Sequence, residues 1–315
     1  MMNRIVEISS EGVHLSLHRG FVKVSQGGEE IGRVGLPDIG ALIVRGYGAT
    51  LSLNLAARLA QENIPVVLCG ADQAPSSIIW PVNGHHGQGH IITAQSELSR
   101  PQKKRLWQAL IKAKIKAQAE CLEVQGEIAT DLYEIAGRVR SGDPDNQEAF
   151  AARRYWSRLM KPVDPDFTRD TSGTRFNGWL NYGYAVLRAG AARSILGAGL
   201  HPSLSIQHES RGEALRLSSD IMEPFRPYVD LIVRRLAEGL TSDVPAELTP
   251  NYKSEIVRVL SLDLIGPYGA SPVQTCLDRL SQSLAAVCVG ERRTLDLPGG
   301  LAPADTVTID IGAAQ

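Results

Sequence analysis

The sequence predicts an α+β protein with two domains, a small β-rich, sandwich-like domain followed by an all-α domain. The chain of 315 residues is long enough for about two domains. Residues 3–44 contain short segments in which apolar and polar residues alternate, whereas from about residue 98 apolar residues recur at helical spacing. We therefore expect a β-rich domain, a linker, a helical domain and a C-terminal tail over residues 1–80, 81–97, 98–291 and 292–315.

Short strands at close spacing make up the predicted β-rich domain. Val13, Leu15 and Leu17 alternate with polar neighbours. Gly27 and Gly28 follow another alternating segment and are typical of a hairpin turn. The pattern indicates a small antiparallel sheet or sandwich. A further strand, a helix capped by Thr50 and a closing buried strand are predicted over residues 39–44, 51–63 and 64–69.

The helical domain opens with a long apolar stripe. Its members recur at helical spacing: Leu106, Leu110, Ala113, Ala117, Cys121, Val124, Ile128 and Leu132. Residues 142–146 break the pattern, so Glu148 falls in the first turn of the next helix. Later helices are predicted over about 175–196, 213–239, 251–263 and 270–291, and a strand over 306–311.

Pro224 and Pro227 lie inside the helix predicted over 213–239. Proline has no N–H for the helical hydrogen bond, and its ring crowds the preceding turn, so we expect a distorted helix there. The histidines of the linker, His85, His86 and His90, have metal-ligand spacing but no nearby carboxylates, and we expect no metal site from them.

Composition excludes several classes of protein. The four cysteines form no CxxC pair, which argues against a disulfide framework or a structural zinc site. The N-terminus lacks the apolar region of a signal peptide, and no run of 18 apolar residues exists. We therefore expect a cytoplasmic protein without a membrane partner. P-loop, GxSxG and HExxH motifs are also absent from the sequence.

Charge is unevenly distributed although the net charge is only −1. Residues 96–212 carry 18 basic and 13 acidic side chains, so this third of the chain can present a basic surface. Solvated faces of long helices explain the same distribution without function. From charge and position alone, the candidate DNA-binding residues are Arg105, Lys112, Lys116, Arg138, Arg140, Arg153, Arg154, Arg175 and Arg211.

Glu148, His208 and Glu223 are the candidate ligands of one divalent metal. One imidazole and two carboxylates suit Mg²⁺ or Mn²⁺ better than zinc or copper. Asp220 lies three residues before Glu223 and is either an outer-sphere residue or an alternative ligand, while Arg226 can pair with Glu223 and orient it. Isolated residues of these types are more often structural, and an acid in a first helical turn is favoured by the helix dipole alone.

Four segments of the sequence form a distinctive set: Gly199-Leu200-His201-Pro202, His208, Ser219 to Pro227, and Glu148-Ala149 followed by Ala152 to Trp156. These segments closely resemble the motifs of the CRISPR spacer-acquisition integrase, the first Cas protein. Their order and spacing match over almost the whole chain. The compact form looks most like the versions found beside single-protein RNA-guided nuclease effectors. His201 departs from the pattern, because many relatives carry an acid before this proline.

The resemblance implies a function and a set of partners. The β-rich domain would form a homodimer, and the helical domain would bind the metal through Glu148, His208 and Glu223. Two such dimers would hold a dimer of the small second Cas protein and a double-stranded DNA fragment, the spacer precursor. The 3′-hydroxyl of that fragment would attack a phosphodiester at the edge of a CRISPR repeat.

Two other functions stay open from the sequence. A stand-alone metal-dependent DNase, or a transposase-like integrase of its own element's ends, would use the same chemistry. A catalytically silent scaffold that only organises DNA would not need the three ligands, all of which are present.

Overall fold

The computed structural model describes residues 4–70, 75–79, 81, 84–209, 213–238, 240, 248–266 and 269–302. It confirms the α+β class, with a strand-rich N-terminal part and a helical C-terminal part. None of the described helices is long and apolar enough to cross a membrane.

The N-terminal part is a sandwich of two sheets. Its elements are β1 (Arg4–Ile8), β2 (His14–His18), β3 (Phe21–Gln26), β4 (Glu29–Gly35), β5 (Ile39–Val44), β6 (Thr50–Leu51), α1 (Leu53–Gln61), β7 (Val66–Cys69) and β8 (Pro75–Ile79). One sheet has the order β4-β3-β2-β6 and the other β1-β5-β7-β8. Leu15 and Val22 of the first sheet, Leu42 and Val66 of the second and Leu55 of α1 share one core. The predicted sandwich is thus confirmed.

The pairing within the sheets differs in part from the antiparallel prediction. The β3–β4 hairpin is antiparallel and turns at Gly27 and Gly28, whose positive φ angles suit a tight hairpin. Strands β1, β5 and β7, however, are parallel. The cause lies in the connection, because α1 carries the chain from β5 to β7 and a helical crossover allows parallel pairing. The N-cap of α1 is Ser52 and not the predicted Thr50.

The C-terminal part is built mainly from helices. They are α2 (Gln88–Ser96), α3 (Arg100–Val124), α4 (Thr130–Arg138), α5 (Gln147–Leu159), α6 (Phe176–Gly197), α7 (Arg216–Ile221), α8 (Arg226–Glu238), α9 (Pro250–Val257) and α10 (Val273–Cys288). Short 3₁₀ turns cover Leu36–Asp38, Glu223–Phe225 and Arg258–Ser261. Helix α3 is central and packs against α4, α5 and α8.

The predicted helix over 213–239 is broken as expected. Helix α7 ends before Pro224, the 3₁₀ turn follows, and α8 begins one residue before Pro227. The long stripe after residue 98 is also divided into α3 and α4, since Gly126 between them has a φ of 82°.

Two structural elements were not predicted. The region expected to be a linker contains α2, whose Gln95 side chain bonds the backbone of His201 and Leu204 and so holds the segment that leads to His208. The part expected to be all-α contains a small sheet of order β10-β9-β11, formed by Asp263–Gly266 (β9), Gly269–Pro272 (β10) and Gly300–Leu301 (β11).

Strand β11 lies inside the predicted tail and is anchored to α3. The Leu301 N–H donates to Oε1 of Glu120 at 2.6 Å. Gly300 has a φ of 131°, and a Cβ there would lie 2.4 Å from the same oxygen, so only glycine fits. The strand predicted over 306–311 lies outside the described residues.

Helix α6 joins the two parts of the molecule. Its residue Ala189 packs against Ile43 and Val67 of the β1-β5-β7-β8 sheet. Nearby, the Tyr182 hydroxyl donates to Glu7, which also pairs with Arg45 at 3.5 Å. These contacts place the sheet beside the helices that carry the candidate site.

Candidate active site

Three elements bring the predicted ligands to the same side of α3. Glu148 lies in the first turn of α5, Glu223 begins the 3₁₀ turn between α7 and α8, and both elements pack on α3. His208 lies in the irregular segment before α7, and its ring meets the Trp107 ring of α3 edge-on, with the centroids 5.7 Å apart.

Lys114 of α3 links the two predicted carboxylate ligands. Its Nζ lies 2.6 Å from Oε1 of Glu148 and 2.7 Å from Oε2 of Glu223. Burial acts to lower the pKa of this ammonium, but the negative charges of Glu223 and Glu148 outweigh burial and raise the pKa. One positive charge therefore lies between two carboxylates.

Glu223 is held in its ionised form although its side chain is only 3% exposed. Burial alone would raise the pKa of the carboxyl group, but Lys114 and Arg226 outweigh burial and lower it. Nη2 of Arg226 lies 3.1 Å from Oε1. Among the described residues no donor is aligned on Oε2 for a hydrogen bond, so its contact with Lys114 is an ion pair only.

Asp220 fixes the position of His208. Its fully buried carboxylate accepts the N–H groups of Ile206, Gln207 and His208 at 2.6, 3.2 and 3.2 Å. It also contacts Nδ1 of the His208 ring at 2.7 Å, and this hydrogen bond raises the pKa of the ring. The negative charge of Glu223 acts in the same direction, so the ring lies within its electrostatic reach. With Nδ1 engaged by Asp220, Nε2 is the nitrogen available to a ligand.

A tight turn sets the position of Glu148. Asp143 and Asn146 have φ angles of 48° and 53°, in the left-handed region. This conformation lets the Asp143 carboxylate accept the N–H groups of Gln147 and Glu148 at 2.9 and 3.0 Å. The helix start is thereby capped, and Glu148 occupies the first turn, as the sequence predicted.

The side chains fit a hard divalent cation. Within the described part of the chain, no three His, Cys, Asp or Glu side chains already stand in the arrangement of metal ligands. The Lys114 ammonium, however, marks a position that both carboxylates reach, and Oε2 of Glu223 is buried without an aligned donor. Carboxylate oxygens with one imidazole are a donor set typical of Mg²⁺ or Mn²⁺.

A third buried carboxylate, Asp230, is linked to Arg226 through Tyr184. The Tyr155 and Tyr184 hydroxyls donate to its two oxygens. The Tyr184 ring lies under the Arg226 guanidinium, with 5.0 Å between the guanidinium carbon and the ring centroid. Burial raises the pKa of Asp230 to about 7, although the tyrosine hydrogen bonds act to lower it.

A cleft of about 790 Å³ opens beside His208 and is lined mainly by α6 and by segments of the helical part, with Arg45 from the N-terminal part at its edge. Its described lining contains one acidic side chain, Glu213, which pairs with Arg188. The cationic side chains that line it are Arg45, Arg169, Arg188, Arg226 and Lys253. The excess of positive charge suits the phosphates of a nucleic acid.

Three of the predicted DNA-binding residues lie on α3, on the face of the helix away from the candidate site. Successive helical residues are about 100° apart, which places Arg105, Lys112 and Lys116 opposite Lys114. Lys112 and Lys116 line a separate groove of about 430 Å³ beside β11. The structure does not bring these three residues to the predicted ligands.

The other predicted DNA-binding residues are dispersed. Arg138, Arg140 and Arg154 are exposed and pair with Glu134, Asp145 and Asp131. Arg153 and Arg175 are exposed, at α5 and just before α6, and Arg211 lies outside the described residues.

Sequence reasoning missed Lys114 and most of the basic cleft. A signal for Lys114 was available, because it lies seven residues after Trp107 and shares its helix face. Arg45 could not have been found, because only the packing of the N-terminal sheet on α6 brings it to the cleft.

Comparison with known proteins identifies the family. The family model described as CRISPR associated protein Cas1 matches residues 6–243. This chain belongs to the Cas1 family. A CRISPR-associated endonuclease Cas1 of Neisseria meningitidis is 35% identical over 251 residues, which cover 79% of this chain and 80% of the relative. A Cas1 endonuclease of Pyrobaculum aerophilum is 26% identical over 73% of this chain and 81% of its own length.

Solved structures share the fold of this Cas1-family chain. A Cas1 protein from Thermotoga maritima has a TM-score of 0.74 at 16% identity, covering 91% of this chain and 97% of its own. A casposase bound to integration product has a TM-score of 0.72 at 20% identity, covering 93% and 92%. A chain of a Cas6-RT-Cas1–Cas2 complex has a TM-score of 0.72 at 16% identity over 94% of this chain and 36% of that one.

Proposed function

We propose that this Cas1-family protein is a divalent-metal-dependent DNA endonuclease and integrase of CRISPR adaptation. It would insert a double-stranded spacer precursor into the array when a DNA 3′-hydroxyl attacks a phosphodiester at the edge of a repeat. The observation that carries the proposal is the convergence of Glu148 and Glu223 on one positive charge beside His208. Hydrolysis would be the same reaction with water as the nucleophile.

Glu148, Glu223 and Nε2 of His208 would hold Mg²⁺ or Mn²⁺. When bound, the ion would polarise the phosphodiester and lower the pKa of the attacking hydroxyl group. Asp220 would remain an outer-sphere residue and not a ligand, because its two oxygens already receive three backbone N–H groups and the His208 ring. It would orient the imidazole in the way that second-shell carboxylates do.

The residues around the ligands would orient the DNA. Arg226 pairs with Glu223 and lies on Tyr184, so its guanidinium is fixed beside the metal position and can stabilise negative charge on the phosphate. The basic cleft beside His208 would receive the sugar–phosphate backbone of one strand, with contacts that depend on charge more than on sequence.

The proposed partners follow the family. The N-terminal sandwich would form the homodimer, and two dimers would hold one dimer of the small second Cas protein, acting in the cytoplasm. A structural neighbour is named as a Cas1–Cas2 complex, which supports this assembly. A transposase-like activity is the second candidate, because another neighbour is a casposase bound to integration product. A silent scaffold fits less well, because it would not need Glu148 and Glu223 to meet at one charge.

The test is a strand-transfer assay on a supercoiled plasmid that carries a CRISPR repeat, with and without the small partner protein. We expect transfer with Mn²⁺ or Mg²⁺, none with EDTA, and none for Glu148→Gln, His208→Gln or Glu223→Gln. Glu134→Gln is the matched control, because this exposed glutamate pairs with Arg138 on the surface. Retained transfer in His208→Gln would overturn the metal site. Integration without a repeat would favour the transposase-like activity.

A further inference from the structure

The Lys114 ammonium lies between the two proposed carboxylate ligands, Glu148 and Glu223. Its Nζ contacts one oxygen of each proposed carboxylate ligand, at 2.6 and 2.7 Å. Its side chain is 13% exposed, and that of Glu223 is 3% exposed. The Glu148 side chain is 28% exposed. A buried carboxylate and a half-buried one that approach the same point repel each other unless a positive charge lies between them. The ammonium therefore has the position and the charge of a counter-ion for both.

We propose that Lys114 is a built-in counter-ion that holds the Glu148–Glu223 pair together without metal and is displaced when the divalent cation binds. The inference rests on the proposed function, because it takes these carboxylates as the ligands. It adds a regulation of the same site, in which metal affinity is set by competition between a lysine of the chain and the ion.

Several observations favour displacement over a lasting contact. The ammonium donates an aligned hydrogen bond to Oε1 of Glu148, whereas Oε2 of Glu223, 2.7 Å away, has no aligned donor, so departure of the ammonium breaks one aligned hydrogen bond and not two. Glu223 would keep a second cation, because Arg226 pairs with its other oxygen at 3.1 Å. Lysine also suits the role, because its charge is compact and its stem has four rotatable bonds, whereas an arginine fork would bind both carboxylates more rigidly.

The competition has a measurable consequence. An ion that binds wild-type protein must separate Lys114 from two carboxylates, whereas in Lys114→Met the same oxygens have no such partner. The variant should therefore bind divalent ions more tightly. Its metal-free form should be less stable, because the buried carboxylate of Glu223 and the half-buried carboxylate of Glu148 lose their shared counter-ion.

The experiment is calorimetric titration of the full-length protein with Mn²⁺ alone, together with thermal unfolding in EDTA and in Mn²⁺. We expect Lys114→Met to bind Mn²⁺ at least about tenfold more tightly than wild type. In EDTA its melting temperature should fall by about 5 °C or more, and Mn²⁺ should restore it. Lys112→Met is the matched control, because that lysine lies two residues away on the opposite side of α3, and neither quantity should change.

Further variants keep the test decisive. Lys114→Arg retains the charge and should keep the metal-free stability, which covers the case in which Lys114→Met fails to fold. Unchanged or weaker Mn²⁺ binding by Lys114→Met and Lys114→Gln would overturn the displacement.

Failure of the proposed function has a different signature. Wild type and Glu223→Gln would then bind Mn²⁺ equally or not at all. The counter-ion role would still be tested in EDTA by a double-mutant cycle of Lys114→Met and Glu223→Gln. If Lys114 stabilises Glu223, the two losses of stability are not additive; if the side chains do not interact, the losses add.

Discussion

Glu223 and Asp230 are buried carboxylates seven residues apart, and their surroundings differ in kind. Glu223 faces the cations Lys114 and Arg226, which lower the pKa of its carboxyl group in spite of burial. Asp230 faces the hydroxyls of Tyr155 and Tyr184, which are neutral, and burial raises the pKa to about 7. The difference teaches that burial alone does not assign a role. A carboxylate kept ionised can bind a cation, whereas one that accepts two hydroxyls organises the packing.

Replacing each carboxylate by its amide should give the largest difference between Glu223 and Asp230. Glu223→Gln should lower the strand-transfer rate at least about 10³-fold, since even outer-shell changes at metal sites cost up to about 100-fold. Asp230→Asn should cost less than about tenfold, because an amide preserves the packing of a group that is already close to neutral. The test is the strand-transfer rate of both variants at saturating Mn²⁺. Equal losses of rate would contradict the different roles of Glu223 and Asp230.

The next effect is on stability. Asp230→Leu removes the acceptor of two tyrosine hydroxyls, one of them fully buried, and should lower the free energy of unfolding by about 3 kcal/mol. Urea denaturation measures this change. Tyr155→Phe, which removes one donor and leaves the carboxylate in place, should cost about 1 kcal/mol. Equal costs in the two variants would show that the cluster does not act through its hydrogen bonds.

Dependence on pH is the third way to separate the two carboxylates. The pKa of Asp230 rises from an ordinary 3.8 to about 7 on folding, so the folded state binds the proton more tightly. Its contribution to stability is therefore full below about pH 4 and is lost as the pH rises through about 7, by up to about 1.4 kcal/mol per pH unit.

Denaturation of wild type and Asp230→Asn at pH 5 and pH 8 isolates this contribution. The stability of wild type relative to the variant should be greater at pH 5. Glu223, with its lowered pKa, has the opposite sign, because its contribution is lost as the pH falls. A wild-type advantage that grew towards pH 8 would contradict the neutral role of Asp230.

The smallest expected effect concerns Tyr184, which contacts Asp230 and also Arg226, the partner of Glu223. Tyr184→Phe keeps the ring under Arg226 and removes only the hydroxyl that bonds Asp230, so unfolding should become easier by about 1 kcal/mol. The strand-transfer rate should change less than in Tyr184→Ala, which also removes the ring. If Tyr184→Phe lowered the rate as much as Tyr184→Ala, Asp230 would influence the surroundings of Glu223 through the Tyr184 hydroxyl.

Much of the fold was accessible from the sequence because it depends on local patterns. The alternation around Leu15, the Gly27-Gly28 turn and the helix break at Pro224 each follow from the residues themselves. The parallel order of β1, β5 and β7 was not accessible, since a short apolar strand has the same sequence in either direction of pairing. The Gly300–Leu301 strand was missed because two residues are too few to show a period.

For the site, the sequence supplied candidate residues but not their surroundings. Glu148, His208 and Glu223 came from motifs of a known family. The four hydrogen bonds to Asp220 depend on a turn that brings residues 206–208 back to α7, and no spacing predicts that. The role of Lys114 depends on the packing of α5 and the 3₁₀ turn on the same face of α3. Charge counting pointed to Lys112 and Lys116 instead, because it does not distinguish the faces of a helix.

The left-handed turn before α5 has a consequence for how the site assembles. Asp143 and Asn146 adopt backbone conformations that are unfavourable for most residues, and the Asp143 cap holds them there. The entropy lost in fixing the backbone of Glu148 is therefore lost during folding. At the proposed metal site, ion capture would then require mainly side-chain rotation, since preorganisation lowers the entropic cost of binding.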